Sequence, residues 1–192
     1  SEHGAQPVEL PTIAIQRVPD TEKVDQAISN LSKYQWIIFT SANGVEAFFD
    51  RLYSLKLDSR ALSSLKIGAI GPATAKALQQ KGIVPDYCPG IYTSEGIIAG
   101  LTGRDIAGQR FLLPRADIAD QELSRGITEL GAEVYDVAVY KTTPVAGTIS
   151  RVKAILSSGQ IDVITFTSSS TVSNFVAQLK DKDVVLNSIT VA

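Results

Sequence analysis

One pattern of residues occurs twice in this chain, and the repetition restricts the folds that the chain can adopt. Residues 37–49 read as a buried strand, a polar turn and an amphipathic helix, and residues 164–175 repeat this order. Each matched residue of the second copy lies 127 positions after its counterpart: Phe39, Thr40, Ser41, Val45, Phe48 and Leu52 match Phe166, Thr167, Ser168, Val172, Phe175 and Leu179. The repetition indicates a duplicated domain, and we expect the two polar turns to face one shared site.

The phase of the repeat predicts how two domains divide the sequence. Residues 4–10 match residues 131–137 at the same offset, so the chain begins inside one unit and returns to it after a second, complete unit. The predicted domains are 1–12 with 144–192 (split and incomplete) and 13–143 (inserted and complete), with linkers at about 8–15 and 137–144. On this interpretation the sequence is clipped at both ends, because the split domain lacks some of its strands and helices.

Strands alternate with helices along the whole chain, which is the pattern of parallel α/β sheets with right-handed crossovers. We therefore predict two similar parallel-sheet domains of the Rossmann or flavodoxin type, joined by a two-stranded linker. In the inserted domain the predicted strands are 34–39, 67–70, 83–87, 111–113 and 134–140. The predicted helices are 43–57, 71–81, 93–101 and 118–130, preceded by one that Asp20 or Thr21 can cap and that carries Val24, Ile28 and Leu31. Residues 8–17 are rich in β-formers but contain Pro11, which predicts an edge strand or a linker.

Charge and residue counts argue against several classes of function. The net charge of −2 gives no reason to expect a nucleic acid or an anionic membrane as partner. No apolar run approaches the roughly 20 residues that cross a bilayer. The single cysteine, Cys88, excludes an internal disulfide, and we expect its thiol to be packed in the interior. A reducing compartment is implied: the cytoplasm, or a plastid-like stroma in a eukaryotic source.

The chain also lacks the residues of several common catalytic sites. No G-x-G-x-x-G follows a strand and no G-x-x-x-x-G-K-[ST] occurs, which disfavours dinucleotide and nucleoside-triphosphate sites. His3 is the only histidine, so neither a histidine-based metal site nor a serine-hydrolase triad can form. We expect a reaction that needs neither a metal nor a bound cofactor.

Several residues with hydroxyl groups follow the carboxyl ends of the predicted strands, where parallel sheets bind their ligands. Four turns lie there: Thr40-Ser41, Gly71-Pro72-Ala73-Thr74, Pro114-Arg115 and Thr167-Ser168-Ser169-Ser170. Hydroxyls and free N–H groups at a helix start bind anions without net positive charge, so the set predicts an anion-binding cleft. The alternative is that hydroxyls such as those of Ser41 and Ser169 cap their own helices.

Tyr140 ends the predicted strand that leads into the second linker, and its hydroxyl can donate a proton to a leaving oxygen. The alternative is an interface aromatic with one end in water. Arg115 either clamps a carboxylate or lies solvated in a loop, and Asn43 and Lys141 allow the same two interpretations. Trp36 is expected in the core.

Five stretches in a fixed order, covering nearly the whole chain, resemble the uroporphyrinogen-III synthase family. They are Ile38-Phe39-Thr40-Ser41-Ala42-Asn43-Gly44-Val45, Ile70-Gly71-Pro72-Ala73-Thr74-Ala75, Leu112-Leu113-Pro114-Arg115-Ala116-Asp117, Val137-Ala138-Val139-Tyr140-Lys141-Thr142 and Phe166-Thr167-Ser168-Ser169-Ser170. The resemblance implies a cofactor-independent lyase that closes linear hydroxymethylbilane to uroporphyrinogen III, losing water and inverting the terminal pyrrole ring. It also implies a monomer whose partner is this tetrapyrrole polycarboxylate, and no nucleic acid or membrane.

The resemblance also assigns site residues. Family positions linked to substrate or activity fall on Thr40, Ser41, Thr74, Tyr140 and Ser168, with Tyr140 as the expected proton donor. The predicted substrate-binding set is Thr40, Ser41, Ala42, Asn43, Gly71, Thr74, Arg115, Ser168, Ser169 and Ser170. Ala119 and Asp120 depart from the family, which often has a basic residue there, so fewer cations are expected to meet the carboxylates. The alternative is a two-lobed anion-binding or regulatory module that kept the fold without the activity.

Overall fold

The computed structural model describes residues 4–9, 11, 13–145, 154–156, 159, 161–166, 169–179 and 190–191. The chain divides into two units, one of Ser1–Ala14 with Thr142–Ala192 and one of Ile15–Lys141.

A five-stranded sheet carries most of the described structure, in the order β1-β5-β4-β2-β3. Its strands are β1 (Ile13–Arg17), β2 (Trp36–Phe39), β3 (Lys66–Ala69), β4 (Arg110–Ala116) and β5 (Glu133–Pro144). β2 pairs in parallel with β3 and β4, and β4 pairs in parallel with β5. This confirms the predicted mixed α/β fold with a parallel sheet, and β1 confirms the edge strand expected within residues 8–17.

Five helices cover the two faces of this sheet: α1 (Glu22–Ser29), α2 (Ala42–Ser54), α3 (Pro72–Gln80), α4 (Ser94–Leu101) and α5 (Glu122–Glu129). One core cluster joins α1, α2 and α3 to the sheet, and we call this side the α1–α3 face. The other cluster joins α4 and α5 to the sheet and defines the α4–α5 face. Ile37 and Ile38 point to opposite sides of the sheet and both are buried, because both faces are covered. This explains why the sequence of β2 is a continuous apolar run.

The core contains the residues that the apolar pattern selects. Trp36 is 1% exposed and stacks on Phe111 with ring centroids 5.7 Å apart, which confirms its predicted place in the core. Helix ends follow their sequence signals: α3 stops before Gly82, whose φ of +80° suits glycine, and Thr93 caps α4 by accepting a hydrogen bond from Gly96 N. α5 begins at Glu122, later than the predicted residue 118. At this start the Asp120 carboxylate accepts a hydrogen bond from Glu122 N at 3.0 Å.

The prediction of a strand at residues 83–87 is wrong. Within that run Tyr87 alone forms a bridge, to Gly68 of β3, and Pro85 has no N–H to offer a neighbouring strand. The Asp86 carboxylate takes the place of a backbone partner by accepting from Ile67 N at 2.7 Å. Cys88 follows as the chain leaves the sheet edge, so its thiol is exposed and the expectation of a packed cysteine is also wrong.

The described part of the other unit contains β6 (Val163–Ile164), α6 (Ser169–Leu179) and β7 (Thr190–Val191), with β6 and β7 parallel. α6 starts 127 positions after α2 starts. An aromatic contact is repeated as well: the Phe39 and Phe48 rings meet edge-on at 5.6 Å, and the Phe166 and Phe175 rings do so at 5.3 Å. The internal repeat of the sequence therefore corresponds to a repeat of packing.

Candidate active site

β2 and β4 are neighbours at the centre of the sheet, yet the chain leaves them in opposite directions. From β2 it runs through α2 to β3 on one side, and from β4 it runs through α5 to β5 on the other. The carboxyl ends of two such strands frame the position where open α/β sheets bind ligands. We call this position the crevice; Ser41, Gly44, Pro114, Ala116 and Tyr140 lie around it.

Ser41 joins β2 to α2 at the crevice. Its backbone is extended (φ −159°, ψ 154°), and its Oγ accepts a hydrogen bond from Gly44 N at 2.9 Å. This confirms the capping role that the sequence allowed for Ser41. The first turn of α2 carries no acidic residue, so the positive end of the helix dipole is not offset locally. Among the neighbouring predicted site residues, Thr40 and Ala42 are half-buried and Asn43 is exposed.

Tyr140 reaches the same point from β5. Its hydroxyl oxygen lies 3.1 Å from Ser41 Oγ, although the two residues are 99 positions apart in sequence. Either hydroxyl can donate in this hydrogen bond, and Tyr140 is only 8% exposed. Gly44 lets β4 and the Ser41 cap come close to the start of α2, because a Cβ there would lie 3.1 Å from Pro114 O and 3.2 Å from Ser41 Oγ. Two of the predicted site residues are thus brought into direct contact.

The turn between β3 and α3 supplies Gly71 and Thr74. Gly71 is the N-cap residue, and Thr74 is 3% exposed in the first turn, which again contains no acid. A Cβ on Gly71 would lie 3.2 Å from the Cβ of Tyr92, so glycine allows this tyrosine to pack against the turn. Tyr92 is 58% exposed, and no strand-end motif of the sequence marks it, because it lies just before a helix and does not follow a strand.

Arg115 has internal partners. It is 3% exposed, so the interpretation as a solvated loop residue is wrong. Its Nε donates to Asp136 Oδ1 at 3.0 Å, and its Nη2 pairs with Asp136 Oδ2 and donates to Ser124 Oγ at 3.0 Å. The Ser124 hydroxyl in turn donates to Asp136 Oδ2 at 2.6 Å. The partly exposed carboxylate of Asp136 therefore neutralises the buried guanidinium. The sequence gives one signal for the cluster of Arg115, Asp136 and Ser124, namely that the carboxylate of Asp136 lies inside a β-rich run.

Acidic side chains mark the first turns of α4 and α5. The negative charge of Glu95 raises the pKa of Glu122 above its usual range. The pKa of Glu95 is lowered by a hydrogen bond from its own backbone N–H and by one from Thr93. Since α2 and α3 have no acid in the equivalent turns, an anion is favoured beside α2 and α3 over α4 and α5.

The remaining predicted site residues are three serines of the second polar turn, and two further kinds of feature, a metal-holding cluster and a membrane-spanning helix, are absent from the described residues. Ser168 lies outside the described residues, and for Ser169 and Ser170 the structure describes backbone only, as the start of α6. Among the residues it does describe, no three His, Cys, Asp or Glu side chains are grouped to hold a metal. The helices described here include none long and apolar enough to cross a bilayer.

Comparison with known sequences gives a consistent family. The family model described as "Uroporphyrinogen-III synthase HemD" matches residues 1–192. The porphyrin biosynthesis protein HemD of Ruminiclostridium josui is 36% identical over 187 residues, which are 97% of this chain and 37% of that protein. The uroporphyrinogen-III synthase of Chlorobaculum parvum is 29% identical over 184 residues, covering 95% of this chain and 73% of that protein. The chain thus spans well under half of the first relative.

Solved structures show the same fold. The wild-type uroporphyrinogen III synthase of Thermus thermophilus matches with a TM-score of 0.61 at 21% identity, covering 96% of this chain and 73% of that one. The uroporphyrinogen-III synthetase of Helicobacter pylori matches with a TM-score of 0.58 at 21% identity, covering 94% and 74% of the two chains.

Proposed function

The chain belongs to the uroporphyrinogen-III synthase family, and from this premise we propose that it closes linear hydroxymethylbilane to uroporphyrinogen III. The observation that carries the proposal is the hydroxyl pair at the crevice, where Tyr140 Oη lies 3.1 Å from Ser41 Oγ. The reaction starts with the departure of a hydroxyl group as water. A tyrosine hydroxyl at a ligand-binding edge of the sheet is a suitable acid for that oxygen.

In the proposed mechanism Tyr140 donates its proton to the hydroxyl of the substrate's hydroxymethyl group. The carbon–oxygen bond breaks, water leaves, and a cation remains on the methylene carbon. The substituted carbon of the terminal pyrrole attacks this cation, and the resulting spiro intermediate rearranges with inversion of that ring. Restoration of the pyrrole releases one proton, which returns to the Tyr140 oxygen. The net change is the loss of one water molecule.

Ser41 is proposed to stabilise the tyrosinate that forms when Tyr140 gives up its proton. Its Oγ already accepts from Gly44 N at 2.9 Å, so its own proton is available to donate toward Tyr140 Oη. That polarity also leaves the Tyr140 proton free for the substrate. A hydrogen bond to an ionised oxygen is stronger than a neutral one, and the N-terminus of α2 favours negative charge beside it.

The substrate's carboxylates are proposed to bind beside the N-termini of α2 and α3. These first turns carry no acid, whereas those of α4 and α5 carry Glu95 and Glu122. We assign the contacts to backbone N–H groups and hydroxyls at Thr40, Ala42, Asn43, Gly71 and Thr74. Ser168, Ser169 and Ser170 remain predicted contacts.

We also propose the domain division that the repeat predicts, residues 1–12 with 144–192 and residues 13–143. The boundaries between the two observed units, after Ala14 and after Lys141, fall within the predicted linkers at about 8–15 and 137–144. The repeated strand, helix and aromatic contact support the same division. A monomeric state and a cytoplasmic location stay predictions.

The proposal is tested by incubating the protein with hydroxymethylbilane and separating the isomers of the product. We expect uroporphyrinogen III; the type I isomer alone, which forms spontaneously, would contradict the proposal, and binding without turnover would favour the anion-binding module. Tyr140→Phe should lower kcat about 100-fold, the lower range for loss of a general acid. The matched control is Tyr135→Phe, which removes a hydroxyl from the other end of the same strand, where the side chain is 49% exposed.

A further inference from the structure

A one-residue bulge in β5 determines which way Tyr140 faces. Side chains alternate along the preceding part of β5: Val137 and Val139 pack on the α1–α3 face, and Asp136 points to Ser124 of α5 on the other side. Continued alternation would turn Tyr140 toward the α4–α5 face. Instead Tyr140 packs in the same cluster as its neighbour Val139.

The strand register locates the cause. Arg115 of β4 is opposite Ala138, and the next residue, Ala116, is opposite Tyr140, so Val139 is the additional residue of the bulge. In an unbroken register Val139 would oppose Ala116, and the Tyr140 hydroxyl would lie on the opposite side of the sheet from Ser41. Bulges redirect side chains in this way and are common beside active sites.

Polar contacts fasten the chain on both sides of this bulge. Just before it, Arg115 is the last residue of β4 in regular register, and its ion pair with Asp136 links β4 to β5. Ser124 extends the link to α5 through hydrogen bonds to both partners. Just after it, Asp117 N donates to Tyr140 O at 3.0 Å.

We propose that Arg115 is a positioning residue: together with Asp136 and Ser124 it holds β4 and β5 in register up to the bulge and thereby aims the Tyr140 hydroxyl at the crevice. This assignment replaces the predicted contact between Arg115 and a substrate carboxylate. Its effect on turnover rests on the proposed function of Tyr140, whereas the effect on the orientation of Tyr140 does not. Lysine cannot substitute fully, because the planar guanidinium reaches both carboxylate oxygens and Ser124 in one fixed geometry.

The same two strands provide a matched control. At their amino ends, Arg110 Nε donates to Glu133 Oε2 at 2.7 Å, with side chains 49% and 64% exposed. Arg110→Lys therefore makes the same chemical change in a second arginine–carboxylate pair of β4 and β5, in the regular part of the register. Ser124→Ala is a milder change at the proposed cluster, since it removes one hydroxyl and keeps the ion pair.

The experiment combines kinetics with NMR of the ring carbon bonded to the hydroxyl, in protein labelled with ¹³C-tyrosine. The Tyr140 signal is assigned by its loss in Tyr140→Phe. We expect Arg115→Lys and Ser124→Ala to shift that signal and to lower kcat roughly tenfold or more, with KM changed less than about threefold, as misplacement of a reacting group does. Arg110→Lys should alter neither the signal nor kcat.

Each outcome decides the proposal. An unchanged Tyr140 signal in folded Ser124→Ala and Arg115→Lys would overturn it, and Ser124→Ala alone suffices if Arg115→Lys does not fold. A raised KM at unchanged kcat and unchanged signal would return Arg115 to direct substrate contact. If the signal shifts as expected but the wild-type protein forms only the type I isomer, the positioning role stands and the proposed function fails.

Discussion

The hydrogen bond between Ser41 and Tyr140 can be measured by a double-mutant cycle. Ser41→Ala removes two interactions, the cap that accepts from Gly44 N at 2.9 Å and the 3.1 Å bond to the tyrosine hydroxyl. A lost serine cap costs about 1 kcal/mol, and a lost neutral hydrogen bond costs about 1 kcal/mol. We therefore expect Ser41→Ala to lower the free energy of unfolding by about 2 kcal/mol, the sum of these two terms.

Tyr140→Phe removes the shared bond and leaves the cap in place, so its expected cost is about 1 kcal/mol. In the double variant the shared bond is lost only once. The double variant should then lose about 2 kcal/mol, against about 3 kcal/mol for the sum of the two single variants. The difference of about 1 kcal/mol is the coupling energy of the hydroxyl pair.

Urea unfolding followed by tryptophan fluorescence gives the required free energies. Trp36 is the only tryptophan of the chain, is 1% exposed and stacks on Phe111, so its emission reports loss of the sheet that carries both hydroxyls. Combining Ser41→Ala with Tyr135→Phe provides the control, and those two losses should add. Additivity within about 0.3 kcal/mol for Ser41→Ala and Tyr140→Phe would refute the hydrogen bond as a stabilising contact.

Two further predictions concern stability. Gly96→Ala should lower the free energy of unfolding by about 3 kcal/mol or more, because the added Cβ would lie 1.9 Å from Ile91 O. Thermal unfolding measures this loss. In the control Gly90→Ala the added Cβ meets no atom within 4 Å, so the free energy should change by no more than about 0.5 kcal/mol. The hydrogen bond from Arg51 lowers the pKa of Asp25, so this pair stabilises the fold above the unfolded carboxyl pKa of about 3.9, and the contribution is lost as pH falls through the lowered folded-state pKa. Asp25→Asn should remove that acid-side dependence from the urea midpoint measured between about pH 5 and pH 2; an unchanged slope would contradict it.

Local sequence signals predicted most of the larger sheet and its helices. Apolar runs located β2 and β3, and helix ends followed from Ser41, Gly82 and Thr93, because a cap or a left-handed glycine acts within a few residues of itself. The error at residues 83–87 has the same local origin. The apolar residues of this run favour a strand, whereas Pro85 lacks the N–H that a fully paired strand needs, and the proline decides the outcome.

The contacts between residues at the candidate site could not be predicted from local sequence signals. The sequence motifs predicted both Ser41 and Tyr140 as site residues. The two are 99 positions apart, however, and their contact depends on strand order and on the register shift just before Tyr140. Arg115 was selected for its charge, but its partners Asp136 and Ser124 were not, because ion pairs across strands depend on register rather than on spacing. Sequence pattern identified residues with suitable chemistry, and packing decided which of them meet.

The bulge makes the number of residues in β5 as important as their identity. In a strand, adding or removing one residue reverses the face of every side chain that follows. Asp136 must face α5 to pair with Arg115, and Tyr140 must face α2 to meet Ser41. The two residues are an even number of positions apart, which in a regular strand places both side chains on the same face. The extra residue Val139 in the bulge is what puts them on opposite faces. The interval from Asp136 to Tyr140 is therefore a structural element of the site in its own right. Its length is constrained by geometry, whereas loops distant from the crevice can vary without turning the tyrosine away from Ser41.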